Sequence, residues 1–242
     1  MNPSKIPWTD LTLNVVTGCS HTSAACDGCW AEALSHRYGW TSLPWTAANA
    51  AVNVRLHPDR LAAPLKRKKP ARIFVCAMAD LFHERVPDEF LHRVFDVMRA
   101  CPHLTFQTLT KRPERAAAWP DWPPNVWCGV TVEDRKQLHR LDVLRAVPAR
   151  VRWISFEPLL EDLGPVELAG YHWAVVGGYS GPGWRDRVMD HAWARGLREQ
   201  CRRDGLAFYF KQSSGIRDNT NPYLDGVMVR EFPEPLPAVR AA

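Results

Sequence analysis

The sequence predicts an α/β fold, in the form of a partial parallel (β/α) barrel of six to seven strands with its active site at the C-terminal strand ends. Short runs of β-branched and aromatic residues recur along the 242 residues, separated by segments with helical periodicity. Strands that alternate with helices form right-handed βαβ units and a parallel sheet. Polar or small residues follow nearly every predicted strand. All strand ends of a barrel meet at one face, whereas an open sheet gathers them only at its switch point. This distribution favours the barrel.

Seven short and mostly apolar runs predict the strands, in the order Leu13–Thr17, Arg72–Cys76, Leu104–Leu109, Val126–Val130, Val151–Ser155, Trp173–Val176 and Ala207–Phe210. Four segments between them predict helices: Trp30–Tyr38, Asp88–Ala100, Glu133–Ala146 and His191–Asp204. The clearest is Asp88–Ala100, because apolar residues recur at helical spacing from Phe90 to Met98 and Pro87 precedes the first turn.

The chain is predicted to form one domain spanning residues 1–242, since it has no internal repeat, low-complexity tract or Gly/Ser linker. Within it we distinguish a cysteine loop (residues 17–30), an irregular insertion (39–70) and a C-terminal tail (213–242).

The composition is that of an ordinary globular protein, with 46% hydrophobic and 24% charged residues and a formal net charge of +5. No run approaches the roughly 18 apolar residues needed to cross a bilayer, so no membrane association is expected. The first residues lack the apolar core of a signal peptide. We therefore expect a cytoplasmic protein, in which clustered thiols more often bind metal than form disulfides.

Three cysteines, Cys19, Cys26 and Cys29, have the spacing C-x6-C-x2-C directly after the first predicted strand. Three thiolates can hold three irons of a cubane iron–sulfur cluster and leave the fourth iron open, whereas an electron-carrying cluster usually has four cysteines. His21 could instead complete a Cys3His zinc site, or the thiols could bind nothing. The other four cysteines lie in apolar segments and are expected in the core.

A short basic run, Lys66, Arg67, Lys68 and Lys69, precedes the second predicted strand. It predicts either a contact with nucleic acid or simply a solvated face.

Seven landmarks in order connect the chain to a family; they are Trp8–Asp10, Asn14–Cys19 with Cys26–Trp30, Met78–Glu84, Leu109–Arg115, Gly129–Asp134, Phe156–Leu160, and Gly177–Pro182 with Phe210–Gln212. By these residues the chain resembles a phage-associated and bacterial family of three-cysteine proteins of unknown function, which in turn resembles radical S-adenosylmethionine (radical SAM) enzymes.

The resemblance implies a [4Fe–4S] cluster whose open iron binds the amino and carboxylate groups of S-adenosylmethionine. A reductant such as flavodoxin or ferredoxin would deliver the electron that cleaves this cofactor. The implied radical would modify a small molecule, such as a nucleobase, or a nucleic acid. Metal-binding and cofactor chemistry would share the C-terminal face of the barrel.

Residues after the predicted strands are candidates for binding this cofactor: Asp80 for its ammonium group, Lys111 for its carboxylate, Glu133 for its ribose, and Gly177 and Gly178 for close backbone approach. Each has a structural alternative, because Asp80 could cap a helix, Glu133 could sit at a helix N-terminus, and a double glycine also suits a tight turn.

Glu157 and Lys211 are the candidate catalytic residues. Glu157 could give or take a proton near the substrate. Lys211, like Lys111 and Arg112, could hold an anionic group or pair with Glu133 or Glu157 in a structural network. His21, His83 and His191 are interpreted as surface or capping residues.

Two features depart from the radical SAM pattern, in which the first cysteine gap is three residues and an aromatic residue precedes the last cysteine. Here the gap is six residues, Gly28 precedes Cys29, and Trp30 follows it. Tyr179 also stands where relatives carry Glu. The sequence therefore leaves two alternatives open: an iron–sulfur or zinc protein that binds nucleic acid without radical catalysis, and a DNA-repair or nuclease accessory.

Overall fold

The structure is a computed structural model and describes residues 1–233. Its fold is α/β, with a largely parallel eight-stranded sheet whose strands alternate with helices. The predicted alternation is thus confirmed, and no closed barrel is detected among the described residues. The chain divides into two compact units: unit 1 comprises Met1–Cys128 and Val147–Arg150, and unit 2 comprises Gly129–Ala146 and the chain from Val151 onward.

Unit 1 contains the following helices and strands in chain order: β1 (Asn2–Pro3), β2 (Leu11–Leu13), β3 (Val16–Thr17), α1 (Trp30–Arg37), α2 (Ala50–Asn53), β4 (Arg55–Leu56), α3 (Ala62–Leu65), β5 (Ala71–Val75), α4 (Asp88–Arg99), β6 (Leu104–Thr110), α5 (Pro113–Ala118) and the first half of β7 (Val126–Thr131). Strands β2, β5 and β6 are parallel neighbours, with Leu13 opposite Val75 and Val75 opposite Thr108. Strand β1 is antiparallel to β2 and carries Pro3, which lacks the N–H that a central strand would use.

Helix α4 confirms the predicted helix. Its apolar face, which includes Phe90, Val94 and Phe95, is buried, and the Phe95 ring meets Trp122 edge to face at 5.3 Å. The burial of this face explains why the helix forms where the apolar spacing predicts it.

The first predicted strand, Leu13–Thr17, is divided in the structure. Residues Leu11–Leu13 join the main sheet, whereas Val16–Thr17 form an antiparallel pair with β4. Asn14 lies at the division, where its carbonyl accepts a hydrogen bond from Arg60 and its side chain accepts one from the Met78 amide. The insertion predicted as irregular contains the short elements α2, β4 and α3.

Unit 2 contains the second half of β7, α6 (His139–Arg145), β8 (Val151–Phe156), β9 (Trp173–Gly177), α7 (His191–Asp204) and β10 (Ala207–Gln212). Strands β8, β9 and β10 are parallel neighbours. The predicted helix His191–Asp204 is confirmed: Asp190 caps its first turn, and Gly205, at φ 72°, ends it in the left-handed conformation.

The helix predicted from Glu133 begins later than expected. The Asp134 side chain accepts a hydrogen bond from the Gln137 amide and caps a short 3-10 turn, and α6 follows only at His139. Of the predicted tail, residues 213–233 belong to the described chain and 234–242 lie outside it. No helix in the described part of the chain has the length and hydropathy needed to span a membrane.

Candidate functional site

The cysteine loop begins at a backbone position that requires glycine. Gly18 has φ 81°, and a Cβ atom there would lie 2.0 Å from the Asn53 carbonyl oxygen. The Gly18 amide donates to the carbonyl of Met78, and the His21 amide donates to that of Trp45. These hydrogen bonds tie the start of the loop to two distant segments of unit 1.

The three thiols of the loop are free and partly buried, in contrast with the four fully buried core cysteines. Cys19 and Cys29 pack against one apolar cluster that includes Trp45 and Met78. Cys26 and Cys29 are linked through the backbone, because the Cys29 amide donates to the Cys26 carbonyl at 3.0 Å. The structure therefore brings the predicted ligands to one small region of unit 1.

The three thiols have different acidities. Burial and the nearby Asp80 carboxylate raise the pKa of Cys19 to about 12 despite the opposing charge of Arg112. Burial also raises the pKa of Cys29. Burial acts in the same direction on Cys26, but the Lys111 ammonium and hydrogen bonds from the backbone outweigh it and lower the pKa of that thiol. Cys26 is therefore the thiol most readily deprotonated.

Two adjacent cations, Lys111 and Arg112, follow β6, and each lies near a different cysteine. Lys111 lies close enough to Cys26 to lower its pKa. The Arg112 Nη1 atom lies 3.7 Å from the Cys19 sulfur, and its Nη2 atom donates to the Ser20 carbonyl at 3.0 Å. From the sequence, both cations were expected to hold an anionic group or to pair with Glu133 or Glu157; the pairing of Arg112 with Asp80 was not predicted.

Asp80 is buried beneath these cations, and its carboxylate is engaged by the protein. It accepts hydrogen bonds from the Thr110 hydroxyl, at 2.8 and 2.9 Å, and from the Phe82 and Lys111 amides, at 2.9 and 3.0 Å. Arg112 adds an ion pair at 3.2 Å. The predicted cofactor ligand thus acts in this structure as the acceptor that holds β6, its following loop and Arg112 together.

His21 lies in the cysteine loop, but both of its ring nitrogens face carboxylates. Nε2 lies 2.6 Å from the Glu32 carboxylate and Nδ1 lies 3.5 Å from that of Asp27. Glu32 also accepts a hydrogen bond from the Trp45 amide at 2.7 Å. These contacts give His21 a role in fixing the loop to α1, and they occupy the nitrogens that a Cys3His zinc site would need.

Within residues 1–233, no group of three or more His, Cys, Asp or Glu side chains is arranged to hold a metal ion. Cys19, Cys26 and Cys29 share one loop without being gathered into a coordination set. Metal binding therefore requires their side chains to rearrange.

Glu133, predicted to contact a ribose, is fully buried in unit 2. Its carboxylate forms an ion pair with Arg140 at 2.7 Å, and the same Arg140 nitrogen donates to the Thr131 carbonyl at 2.7 Å. The side chains of the pair are 0% and 3% exposed. In this structure, the pair connects the end of β7 to α6.

The predicted catalytic residues Glu157 and Lys211 meet in unit 2, where Glu157 Oε1 lies 2.7 Å from the Lys211 ammonium. The side chains remain 13% and 20% exposed. Gly177 makes room for this pair, because a Cβ atom there would lie 2.7 Å from Glu157 Oε1. A Cβ atom at Gly178 would meet the Ser214 amide nitrogen at 2.4 Å. Packing against backbone thus requires glycine at position 178, whereas a Cβ atom at position 177 would meet only the Glu157 side chain, which could shift.

Two other predicted features are also located. Tyr179 is buried, and the Arg187 guanidinium lies 4.9 Å from its ring centroid. In the basic run, Lys66, Lys68 and Lys69 are exposed, and Arg67 donates to the Lys69 carbonyl.

Sequence reasoning missed the hydrogen-bonded network beneath the cysteine loop. Of the two alternatives for His83, the surface residue was wrong, because its side chain is fully buried. The His83 Nδ1 atom accepts a hydrogen bond from the Arg85 amide, so its Nε2 atom is the one that donates to Ser20 Oγ, at 2.9 Å. Ser20 is 63 positions away from His83 in the chain, and no local pattern could have revealed this contact.

Comparison with known proteins identifies the family of the chain. No curated protein and no solved structure matches the chain. A family model described as a protein of unknown function (DUF5131) matches residues 3–233, and the chain therefore belongs to this family.

Proposed function

We propose that this protein is an iron–sulfur enzyme of the radical SAM type, in which Cys19, Cys26 and Cys29 hold a [4Fe–4S] cluster with one iron open. One observation carries the proposal: three partly buried thiols on one short loop lie beside two adjacent cations, while the candidate fourth ligand His21 is held by carboxylates. This arrangement supports a site with three protein ligands over a closed four-ligand site.

The chemistry of the donor set suits such a cluster. Thiolates are the ligands that iron–sulfur clusters use, and hydrogen bonds to sulfur stabilise the negative charge on the cluster. Arg112 lies 3.7 Å from the Cys19 sulfur, and the Thr22 amide donates to the Cys26 sulfur at 3.5 Å. The positive charges of Lys111 and Arg112 offset the charge that three thiolates bring.

The chemistry that the bound cluster supplies is one-electron cleavage of the sulfonium C–S bond of S-adenosylmethionine, which yields methionine and a 5′-deoxyadenosyl radical that takes a hydrogen atom from the substrate. The electron comes from a protein such as flavodoxin or ferredoxin. The residues of the chain hold the thiolates, compensate their charge and shield Cys19 and Cys29 with Trp45 and Met78.

Direct contacts from Asp80 and Glu133 to the cofactor would require exchange of the bonds these carboxylates make to Arg112 and Arg140. We therefore assign Asp80 to positioning Arg112 and Glu133 to the structural pair with Arg140, and we assign charge compensation at the thiols to Lys111. The partly exposed Glu157–Lys211 pair is kept as the candidate for proton transfer. A partial barrel remains part of the proposal, as does a nucleobase or nucleic-acid substrate.

The test is reductive cleavage of the cofactor by anaerobically reconstituted protein. Dithionite-reduced wild-type protein should release 5′-deoxyadenosine from S-adenosylmethionine, and Cys19→Ala, Cys26→Ala and Cys29→Ala should each abolish this release. Cys101→Ala removes a buried core thiol and should retain it. Loaded and reduced wild-type protein that releases no 5′-deoxyadenosine, with nucleosides or single-stranded DNA or RNA present, would contradict the radical assignment.

A second candidate, a cluster- or zinc-bearing nucleic-acid-binding protein or DNA-repair accessory without radical catalysis, is favoured by the exposure of Lys66, Lys68 and Lys69. It predicts binding to DNA or RNA that weakens steeply with salt. Replacing the three lysines with Gln should reduce that binding, whereas replacing exposed Arg202 and Arg203 with Gln should leave it unchanged.

A further inference from the structure

Arg112 makes an unusually complete set of contacts beneath the cysteine loop. Its Nε atom donates to Glu84 at 3.2 Å, and its Nη1 atom faces both Asp80 at 3.2 Å and the Cys19 sulfur at 3.7 Å. Its Nη2 atom donates to the Ser20 carbonyl at 3.0 Å and to the Ser20 hydroxyl at 2.9 Å. One guanidinium thus joins two carboxylates to the segment that carries the first cysteine.

Asp80 and Thr110 hold Arg112 in place. Asp80 is fixed by the Thr110 hydroxyl and by two backbone amides, so the carboxylate partner of Arg112 is rigid. The Arg112 amide also donates to the Thr110 hydroxyl at 2.8 Å. The Arg112 side chain is only 14% exposed, so water screens its charge little.

Ser20 receives a second support from His83, which donates to its hydroxyl at 2.9 Å. The Cys19–Ser20 segment is therefore bound from two sides, by Arg112 and by His83. A planar guanidinium with several donors can bridge these groups at once, and a lysine ammonium cannot.

We propose that Arg112 is a positioning residue that holds Cys19 for metal binding and raises the reduction potential of the cluster. This inference rests on the proposed function. A nearby buried positive charge and an N–H···S hydrogen bond both stabilise the reduced cluster, which carries one more negative charge than the oxidised form. The cluster gains one electron in this step, and the external reductant loses it.

The comparison variants follow from the contacts. Arg112→Met removes the charge and all five donors, and Arg112→Lys keeps the charge but loses the bridging geometry. Arg115→Met is the matched control: this arginine also lies after β6 and binds the carbonyls of His83 and Val86 and the Asp88 carboxylate, with no contact to a cysteine.

The experiment is a redox titration of reconstituted protein, followed by the electron paramagnetic resonance signal of the reduced cluster. The midpoint potential should become more negative in Arg112→Met, less so in Arg112→Lys, and stay at the wild-type value in Arg115→Met. If Arg112→Met retains no cluster, positioning is supported and the Arg112→Lys potential decides the remaining claim.

The measurements distinguish failure of the proposed function from failure of the role assigned to Arg112. Wild-type protein that binds no iron and sulfide overturns the proposed function and this inference together. Wild-type protein that assembles the cluster, with Arg112 variants that assemble it equally well at the wild-type potential, overturns this inference alone.

Discussion

Each unit of the molecule contains a buried carboxylate–arginine pair, and the two pairs differ in what else the arginine reaches. In unit 2, Arg140 connects Glu133 to a backbone carbonyl of the same strand region. In unit 1, Arg112 extends beyond Asp80 to the Cys19 sulfur and to Ser20. The Glu133–Arg140 pair stabilises unit 2. In the Asp80–Arg112 pair, the arginine also places a positive charge and a hydrogen-bond donor beside Cys19, a candidate metal ligand.

This difference shows that burial of a charged pair does not by itself identify a functional group. Both Asp80 and Glu133 follow strands, and both were predicted to contact a cofactor. The contacts of the partner arginine distinguish them. We therefore expect substitutions in the Glu133–Arg140 pair to change stability alone, and substitutions in the Asp80–Arg112 pair to change stability and metal binding together.

The largest effect is expected for Arg140→Leu, which leaves the Glu133 carboxylate buried without its ion-pair partner. Removing one member of a buried ion pair typically costs about 3–5 kcal/mol of unfolding free energy. Urea denaturation measures the change. The double variant Glu133→Leu/Arg140→Leu should recover much of the loss because it removes both charges. A single variant as stable as wild type would contradict the assignment of a buried structural pair.

A smaller loss, about 2–3 kcal/mol, is expected for Asp80→Asn, because hydrogen bonds to a charged acceptor are worth about 1.5–3 kcal/mol. The same variant should also bind less iron per folded chain, since Arg112 loses its anchor. Asp96→Asn is the control: Asp96 forms a surface pair with Arg99 and is 69% exposed, so its loss should change stability by less than about 1 kcal/mol. Unchanged iron binding in folded Asp80→Asn would contradict the claim that the Asp80–Arg112 pair, unlike the Glu133–Arg140 pair, supports metal binding.

The smallest expected effect is on the pH dependence of the free energy of unfolding. Burial and the positive charge of Arg112 lower the pKa of His83, against the opposing pull of Glu84 and Asp80. The unfolded chain, with a histidine pKa of about 6.5, then binds the proton first as pH falls. His83 should therefore contribute a decrease in stability from about pH 6.5 down to its folded pKa, with a slope of at most about 1.4 kcal/mol per pH unit. Burial also lowers the pKa of His57 and of His172, so these residues add to the decrease.

His83→Gln should make this part of the stability profile less steep, measured by urea denaturation of the metal-free protein between pH 7 and about pH 5, where most carboxylates stay ionised. His139→Gln, at an exposed position in unit 2, should leave the profile as in wild type. A slope in His83→Gln equal to that of wild type would contradict the contribution of His83.

The sequence could predict the parts of the molecule that depend on local pattern. The spacing of apolar residues predicted α4, whereas the metal site that the three clustered cysteines indicate stays a prediction. The network of Asp80, Arg112 and His83 could not be predicted, because its partners lie 32 to 92 positions from one another or from the loop they support. Contacts over such separations are set by the fold and leave no periodic signal in the chain.

The central claim is that the three-cysteine loop holds a cubane cluster, and the most direct test is the content of iron and acid-labile sulfide after anaerobic reconstitution. Wild-type protein should contain about four iron and four sulfide ions per chain, and variants that lack Cys19, Cys26 or Cys29 should lose them while Cys101→Ala keeps them. One zinc ion per chain without sulfide, or iron and sulfide retained after loss of any of the three cysteines, would contradict the account.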